Sequence, residues 1–379
     1  MGLNIMVENI HEKVTKEITS RINLPEGVPT LSSLYLYIAG SCNLACRHCW
    51  ITPNYMPNGK GGQFSQLDHI QKAVNEALPL GLNYINLTGG EPTLHPQFRE
   101  LVTIVDQAGV VINMESNGIL IDASLARFLK DTPNFKFLSV SLDGADAATH
   151  ESLRLVPGCF DKAINGIRNL VEVGLNPQII CTLHKGNRDQ VSGMVRLAND
   201  LGCQSIKFNH VQSSGRGQTM AKSEGLSIPD LIEIHNNIEN LLVSSSRIPI
   251  YFDIPLAFHP LKTLVRKPLG QCSVLNILGL LSGGEFSLCG IGVTVPELIY
   301  GNINEDNLVD IWCNAPGLKT LRLVVPEGLS GVCGRCLHRD FCLGACVANT
   351  YAANGSFTSP YYFCAEAEQS GLFPESRLK

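Results

Sequence analysis

The sequence predicts an α/β fold: a parallel sheet built from six strand–helix units, followed by a small cysteine-rich region. Apolar strand-like runs alternate with helix-like stretches between residues 34 and 243. Repeated β-then-α units imply parallel strands with right-handed crossovers. Six units are too few to close an eight-fold barrel. A different composition, rich in cysteine, begins near residue 271.

The predicted strands are residues 34–39, 84–88, 110–115, 135–142, 178–183 and 205–210. The predicted helices are residues 66–80, 97–107, 123–130, 161–173, 189–201 and 229–243. Apolar residues at four-residue spacing also predict an amphipathic helix over residues 9–22. Residues 251–254 are expected to add a strand, and the polar, glycine-rich residues 211–228 to form a mobile loop. We therefore expect a leader at 1–30, a barrel at 31–255 and a cysteine-rich domain at 256–379.

Composition narrows the function before any motif is considered. The 379 residues are 44% hydrophobic and 17% charged, with a net charge of −5 and no Lys/Arg block, which argues against a nucleic-acid partner. No apolar run approaches the roughly 20 residues of a membrane helix, and no signal peptide is evident. The sequence thus predicts a cytoplasmic protein. Thiols stay reduced there, so its 14 cysteines favour metal binding over disulfides.

Three cysteines directly follow the first predicted strand, at the spacing Cys42-x3-Cys46-x2-Cys49. Thiolates are soft ligands that suit iron–sulfur clusters or zinc. A 4Fe-4S cluster normally takes four cysteines, so three would leave one iron open to a non-protein ligand. The alternative is a structural zinc loop that lacks its fourth ligand.

This loop resembles the signature of radical S-adenosylmethionine (SAM) enzymes. The resemblance implies a 4Fe-4S cluster on Cys42, Cys46 and Cys49, whose open iron binds the amino and carboxylate groups of SAM. His48 stands where the family usually has an aromatic residue beside the adenine. The resemblance also implies a partial (β/α)6 barrel, with an open side that admits a large substrate.

Polar motifs follow the later strands at the end where such barrels carry their chemistry. Gly89-Gly90-Glu91-Pro92 follows the second strand; by resemblance it holds the amino group of SAM, with Glu91 as acceptor, and otherwise it is a turn. Asn117, after the third strand, is expected to be a SAM-binding residue, and Ser141, by resemblance, contacts the ribose or carboxylate of SAM. Arg154 could pair with a carboxylate or be a solvated surface charge. Asp143 would make a turn with the glycine after it.

A second set of cysteines has the order Cys272-x11-Gly284-x4-Cys289, then Cys333-x2-Cys336-x5-Cys342-x3-Cys346, then Cys364. The glycines before residue 285 predict a β-hairpin. A zinc-ribbon-like domain is one interpretation, because C-x2-C pairs suit zinc. The remaining cysteines stand alone in apolar contexts typical of core residues: Cys159, Cys181, Cys203 and Cys313.

The spacing of the second set resembles the SPASM domain of a subset of radical SAM enzymes, which holds two auxiliary Fe-S clusters. By resemblance, the outer cluster takes four ligands: Cys333, Cys336, Cys342 and Cys364. The inner cluster takes Cys272, Cys289 and Cys346. Some relatives supply a further cysteine where this chain has residues 266–268. Its inner cluster therefore has an open iron or a non-cysteine ligand such as Asp253 or His259.

The resemblance implies an enzyme that generates a 5′-deoxyadenosyl radical and abstracts hydrogen from a ribosomally made peptide. The result would be a crosslink, an epimerisation or a backbone excision, as in peptide maturases. The implied partners are the precursor peptide and an electron donor such as flavodoxin or ferredoxin. Because the predicted leader segment is short, we also expect a separate leader-binding protein.

Three alternatives remain at this stage. Sulfatase-maturing enzymes of the family form formylglycine and carry an aspartate base directly after the cysteine equivalent to Cys289; this chain has Gly290, which counts against that activity. A small molecule, such as an aminoglycoside or a haem precursor, is the second. The third is a metal-stabilised binding protein without activity. No motif identifies a general base; only periodicity places His184 at the catalytic end of a strand.

Overall fold

The computed structural model describes residues 22–57, 61–266 and 272–379, without the side chain of Arg266. Most of the predicted leader helix over residues 9–22 therefore lies outside the described residues, as do Lys267 and Pro268. No helix in the described ranges is long and apolar enough to cross a membrane.

Ten strands form one open sheet, in the spatial order β12-β11-β10-β1-β4-β5-β6-β7-β8-β9. Two short strands, β2 and β3, pair separately. The strands are β1 Ser33–Ala39, β2 Ser41–Cys42, β3 Asn54–Tyr55, β4 Tyr84–Gly89, β5 Val111–Ser116, β6 Phe135–Ser141, β7 Gln178–Leu183, β8 Ser205–His210, β9 Ile250–Phe252, β10 Ile277–Leu280, β11 Glu285–Ser287 and β12 Ile299–Asn302.

The α-helices follow the strands as the alternating pattern predicts. They are α1 Leu67–Ala77, α2 Phe98–Gln107, α3 Ala123–Asp131, α4 Ala147–Arg154, α5 Cys159–Glu172, α6 Val191–Asp200, α7 Gly217–Glu224, α8 Ile228–Asn237, α9 Leu261–Arg266, α10 Leu308–Asn314, α11 Pro316–Val324, α12 Gly331–Arg335, α13 Arg339–Cys342, α14 Val347–Asn354 and α15 Tyr362–Gln369. A π-helical segment, Ile238–Leu242, extends α8.

The core lies between the sheet and the helices that cover it. Six of the seven residues of β1 are buried, as expected for a parallel strand covered on both faces. Helix α1 buries Ile70, Ala73, Val74 and Ala77, the i, i+3, i+4, i+7 positions of one helical face. The predicted α/β fold with six parallel strand–helix units is confirmed, and the expected extra strand exists as β9, parallel to β8.

The predicted C-terminal hairpin is present as β10 and β11, which pair antiparallel. The sequence pattern did not reveal that β10 also pairs in parallel with β1, with Ser33 opposite Ile277. The sheet therefore continues from the barrel strands into the hairpin. The division of the chain after residue 255 stays a prediction.

The prediction of a loop throughout residues 211–228 was wrong, because helix α7 occupies Gly217–Glu224. The polar residues that suggested a loop bind the cysteine loop instead. Arg216 Nε donates to the carbonyl of Cys46 at 2.9 Å, and the amide of Gly217 donates to the carbonyl of Cys49. An ion pair between Arg47 and Glu224 adds a side-chain contact.

Candidate active site

The loop that carries Cys42, Cys46 and Cys49 leaves the carboxyl end of β1 and is held by the short β2–β3 pairing. Cys42 and Cys46 are buried, and Cys49 is half-buried. All three pack in one cluster with Leu44 and Cys159. The structure thus brings the three predicted ligands together and adds Cys159 as a packing residue behind them.

The surroundings of these thiols fit an iron–sulfur cluster. The amide of Leu44 donates to Cys42 Sγ at 3.4 Å, and Arg154 Nη1 donates to Cys46 Sγ at 3.5 Å. Burial raises the pKa of the Cys42 thiol to about 12, so a buried thiolate here requires a cationic partner such as iron. All 14 cysteines are free thiols, which leaves every predicted ligand available.

Arg154 is not a surface charge: it forms a buried ion pair with Asp143, with Arg154 Nε 2.6 Å from Asp143 Oδ2. Asp143 Oδ1 also accepts from the amide of Thr182 at 2.8 Å. Burial would raise the pKa of the Asp143 carboxyl, but the guanidinium of Arg154 and the nearby His48 hold it at about 2. Asp143 was predicted only as a turn residue; its structural role is to orient Arg154 toward the cysteine loop.

The segment Gly89–Pro92 packs against the backbone that leads into the cysteine loop. A Cβ on Gly90 would lie 2.1 Å from the carbonyl oxygen of Ser41, so only glycine allows this approach of the two backbones. Glu91 is fully buried. Its carboxylate accepts from the Thr93 hydroxyl and amide, from Ser116 Oγ at 2.8 Å and from the Asn117 amide at 2.7 Å.

Three of these four donors reach Oε1, and the Asn117 amide alone reaches Oε2. The carboxylate thereby positions Asn117, which in turn donates to Asn43 Oδ1 at 2.7 Å, next to Cys42. Because Oε2 keeps acceptor capacity, the role of Glu91 as acceptor for the amino group of SAM stays a prediction.

A cavity of about 390 Å³ joins the two predicted halves of the site. Its lining includes His48, Ser141 and Arg154. It also includes the three cysteines predicted for the inner cluster: Cys272, Cys289 and Cys346. Residues that belong to the two separate sequence motifs therefore face one continuous space.

Part of the cavity wall is polar. Asn209, His210, Gln212, Asn349 and Tyr361 line it. Asn349 Nδ2 donates to Gln212 Oε1, and Tyr361 Oη lies 3.4 Å from His210 Nε2. Sequence reasoning missed these residues, because the three contributing segments, β8 with its following loop, α14 and the start of α15, meet only in the folded chain.

Two polar atoms in the cavity wall are buried without a hydrogen-bond partner among the described residues: Asn209 Oδ1 and His48 Nδ1. Buried polar atoms are rarely left unpaired, so both are available to a bound molecule or to water. Burial lowers the pKa of His48 to about 3 and lowers that of His210. Both imidazoles are therefore neutral and able to accept a hydrogen bond.

The four cysteines predicted for the outer cluster line a second, smaller cavity together: Cys333, Cys336, Cys342 and Cys364. The amides of Tyr361 and His338 donate to the sulfurs of Cys333 and Cys336, each at 3.4 Å. A hydrogen bond from Cys364 lowers the pKa of Cys333 and raises that of Cys364. Four converging sulfurs with amide donors fit a cluster that cysteine ligates completely.

The two residues considered as a fourth ligand beside the inner cysteines lie in different places. Asp253 lines the cavity with Cys272, Cys289 and Cys346, and its Oδ2 is 3.9 Å from Lys207 Nζ. His259 is not among the described residues that line this cavity. Its ring packs edge-on against His235, with 4.8 Å between centroids.

The structure also explains the glycine after Cys289. A Cβ on Gly290 would lie 2.4 to 2.6 Å from three atoms of the Tyr37 ring. Tyr37 is a buried residue of β1 and occupies the space into which a side chain at position 290 would point. An aspartate cannot occupy this position unless Tyr37 moves.

His184 and the lone cysteines are accounted for by packing. His184 is buried and accepts from the Gly186 amide through Nδ1, and it does not line the cavity among the described residues. Cys181, Cys203 and Cys313 belong to the main hydrophobic core, as predicted.

The sequence of this chain is similar to known families and proteins. The sequence model of the Radical SAM superfamily matches residues 36–198. An AdoMet-dependent heme synthase of Methanosarcina barkeri is 28% identical over 345 residues, covering 86% of this chain and 94% of that protein. The mycofactocin maturase MftC of Mycobacterium tuberculosis is 25% identical over 341 residues, covering 89% of this chain and 83% of that protein.

Among solved structures, SuiB of Streptococcus suis shares the fold. Its complex with S-adenosylmethionine has a TM-score of 0.72 at 17% identity, covering 94% of this chain and 81% of that chain. Its complex with the precursor peptide SuiA has a TM-score of 0.71 at 15% identity, covering 95% and 87%. At these identities the likeness establishes the architecture alone, a partial (β/α) barrel with a parallel sheet.

Proposed function

We propose that this chain, whose residues 36–198 match the sequence model of the Radical SAM superfamily, is a radical SAM maturase that modifies a ribosomally made precursor peptide. When bound, a 4Fe-4S cluster and SAM supply a carbon-centred radical that removes hydrogen from an unactivated carbon. Cys42, Cys46 and Cys49 would hold that cluster. The remaining cysteine sets would hold two auxiliary clusters, the outer one on Cys333, Cys336, Cys342 and Cys364, and the inner one on Cys272, Cys289 and Cys346.

The observation that carries the proposal is the shared cavity. His48 and Arg154 line it, and so do Cys289 and Cys346. A substrate bound in this cavity would therefore lie near predicted SAM-binding side chains and near the cysteines predicted for the inner cluster. The chain's own residues would position it, and the surrounding apolar and polar wall would exclude water from the reacting carbon.

The chemistry of the wall favours a peptide. The side chains of Asn209, Gln212 and Asn349 carry the same donors and acceptors as a peptide bond. The buried, unpartnered Oδ1 of Asn209 can accept from a backbone N–H group. Such contacts recognise a main chain whatever its side chains, which suits an enzyme that acts at one residue of a longer peptide.

A haem precursor is the second candidate, because the heme synthase of M. barkeri is similar over most of its length. The charges in the cavity disfavour it. Of the described residues that line the cavity, Arg154 is the one Lys or Arg, and it is already paired with Asp143. Glu115 and Asp253 are acidic. A tetrapyrrole with several carboxylates would find too few cations to offset its desolvation.

We further propose that a separate leader-binding protein presents the precursor peptide, and that flavodoxin or ferredoxin donates the electron. Both partners follow from the proposed reaction, since the peptide must be delivered to an internal cavity and SAM cleavage is reductive. Neither partner is needed for a first test with a chemical reductant.

The test uses anaerobically reconstituted full-length protein, SAM and dithionite, with two substrates assayed in parallel. One is the set of short peptides encoded beside its gene, and the other is iron-coproporphyrin III. Mass spectrometry follows the substrates, and chromatography follows 5′-deoxyadenosine. The control is the Cys42→Ala/Cys46→Ala/Cys49→Ala variant.

A change in peptide mass that depends on SAM and is absent in the control supports the proposal. A decarboxylated porphyrin with unmodified peptides would replace it with the second candidate. Formation of 5′-deoxyadenosine with neither substrate changed would place the substrate in another class and overturn the peptide assignment.

A further inference from the structure

Three metal-ligating side chains converge outside the cavity and the cysteine sets: His235, Glu239 and His259. Their ligand atoms all lie within 4.8 Å of one another. His235 and His259 are buried, and Glu239 is half-buried. Two imidazoles and a carboxylate at this separation form a ligand set that zinc uses in proteins.

The chain positions His235 and Glu239 on the same face of one helical stretch. His235 lies near the end of α8, and Glu239, four residues later, lies in the π-helical extension. His259 comes from the segment between β9 and α9, which packs across this helix. Its ring meets that of His235 at 4.8 Å between centroids.

The environment of His235 suits a metal ligand. The residue is almost fully buried. Neither ring nitrogen makes a hydrogen bond of ordinary geometry among the described residues, and the backbone of Phe258 is a weaker partner of the ring. The imidazole is therefore available to bind a metal ion.

The surrounding contacts orient the other ligands. Thr263 Oγ1 donates to Glu239 Oε2 at 3.0 Å and leaves Oε1 for another partner. Arg377 Nη2 donates to the carbonyl of His259 at 3.2 Å, which fixes the backbone of that residue. Supporting hydrogen bonds of this kind commonly hold first ligands in place at metal sites.

We propose that His235, Glu239 and His259 bind one zinc ion that fastens the segment leading to Cys272 onto the barrel. Tetrahedral zinc with bonds of about 2.0–2.2 Å places its ligand atoms roughly 3.3–3.5 Å apart, so the three groups close by at most about 1.5 Å. A non-protein ligand takes the fourth position.

The location gives the site a structural role. The same segment packs Phe258 against Phe363, next to Cys364, at 4.9 Å between centroids. Its Ala257 lines the cavity of the outer cysteines. A zinc ion would thus link a barrel helix to the layer that carries the outer set. This role does not depend on which substrate the enzyme modifies.

The reconstituted full-length protein is first equilibrated with zinc, and excess metal is then removed. Zinc and iron bound to the protein are measured afterwards. X-ray absorption at the zinc edge separates this site from zinc in cysteine sites, because N/O ligands lie at about 2.0–2.2 Å and sulfur at about 2.3 Å. The variants are His235→Gln and Glu239→Gln. The matched control is Glu233→Gln, the same change on the same helix at an exposed carboxylate.

We expect about one zinc per chain with an N/O shell, lost in both variants and kept in the control, with iron unchanged. We also expect a chelator to lower the melting temperature of the wild type and not that of Glu239→Gln. The proposal is overturned if the wild type takes up no zinc, if its zinc has sulfur ligands, or if the variants retain it. If His235→Gln does not fold, Glu239→Gln alone decides, because its amide can still accept from Thr263.

Discussion

Arg154 and Asp143 form an ion pair that is almost entirely shielded from water, with 2.6 Å between Nε and Oδ2. The second arm of the guanidinium reaches Cys46 Sγ at 3.5 Å. The pair thereby connects the end of β6 to the cysteine loop through one rigid group. Removing one partner would leave an uncompensated buried charge.

Asp143→Asn should lower the free energy of unfolding by about 3–5 kcal/mol, the usual cost of breaking a buried ion pair from one side. Anaerobic denaturant unfolding measures it. The control Asp146→Asn changes an exposed helix-capping residue, whose Oδ1 accepts from the Thr149 amide at 2.8 Å. Asparagine caps equally well, so we expect a change below about 0.5 kcal/mol there. Equal effects of the two variants would contradict the role given to the ion pair.

Gly290→Ala should destabilise the protein by about 1–3 kcal/mol, because its Cβ overlaps the ring of Tyr37. Shortening Tyr37 to leucine should relieve the overlap, so the double variant should lose less stability than the sum of the single variants. The unfolding midpoints of the wild type, the two single variants and the double variant form a double-mutant cycle. In the control Gly193→Ala, within helix α6, the new Cβ lies 3.3 Å from the Cβ of Ala145; because alanine also favours the helix, the change should cost clearly less than Gly290→Ala. Additive effects would show that Tyr37 does not limit position 290.

Cys342→Ala should reduce the iron content by about four atoms per chain, the contents of one four-iron cluster. Formation of 5′-deoxyadenosine should persist, because the outer cysteines line a separate cavity from that of His48 and Arg154. Cys203→Ala, at a lone core cysteine, should retain all iron. Iron and sulfide assays on the wild type, Cys342→Ala and Cys203→Ala measure the number of clusters in each protein. Unchanged iron content in Cys342→Ala would show that the outer cysteines do not hold an iron–sulfur cluster.

Asn209→Leu should raise the KM for the peptide about threefold to tenfold, because one neutral hydrogen bond contributes about 0.5–1.5 kcal/mol. SAM cleavage without peptide should be unaffected. The exposed Asn314 carries the control, Asn314→Leu, which should leave KM unchanged. Peptide titrations measured by mass spectrometry provide both values. An unaltered KM in Asn209→Leu would show that this amide does not contact the substrate.

The sequence predicted most of the fold because its signals are local. Apolar runs such as Gln178–Leu183 define strands without reference to their neighbours. Cysteine spacing likewise grouped residues that meet in the fold, since Cys333, Cys336, Cys342 and Cys364 line one cavity. In both cases residue type and spacing carry the information.

The predictions that failed depended on contacts distant in sequence. The pairing of Ile277–Leu280 with β1 joins residues more than two hundred positions apart. The burial of Asp143 follows from Arg154 and Thr182, which no local pattern connects. Helix α7 has the composition of a loop, because it is short and packs only Met220 and Ala221 against Val211 and Leu153, the latter distant in sequence.

We propose that this chain combines a SAM-cleaving cluster with two auxiliary clusters, and that the ligands of one auxiliary cluster line the substrate cavity. The most direct measurement counts iron and sulfide in anaerobically reconstituted protein and assays reductive SAM cleavage in the same sample. The account predicts about twelve irons per chain, three four-iron clusters, together with 5′-deoxyadenosine. About four irons with zinc would reduce the C-terminal cysteines to a structural module. Zinc alone without SAM cleavage would contradict the account.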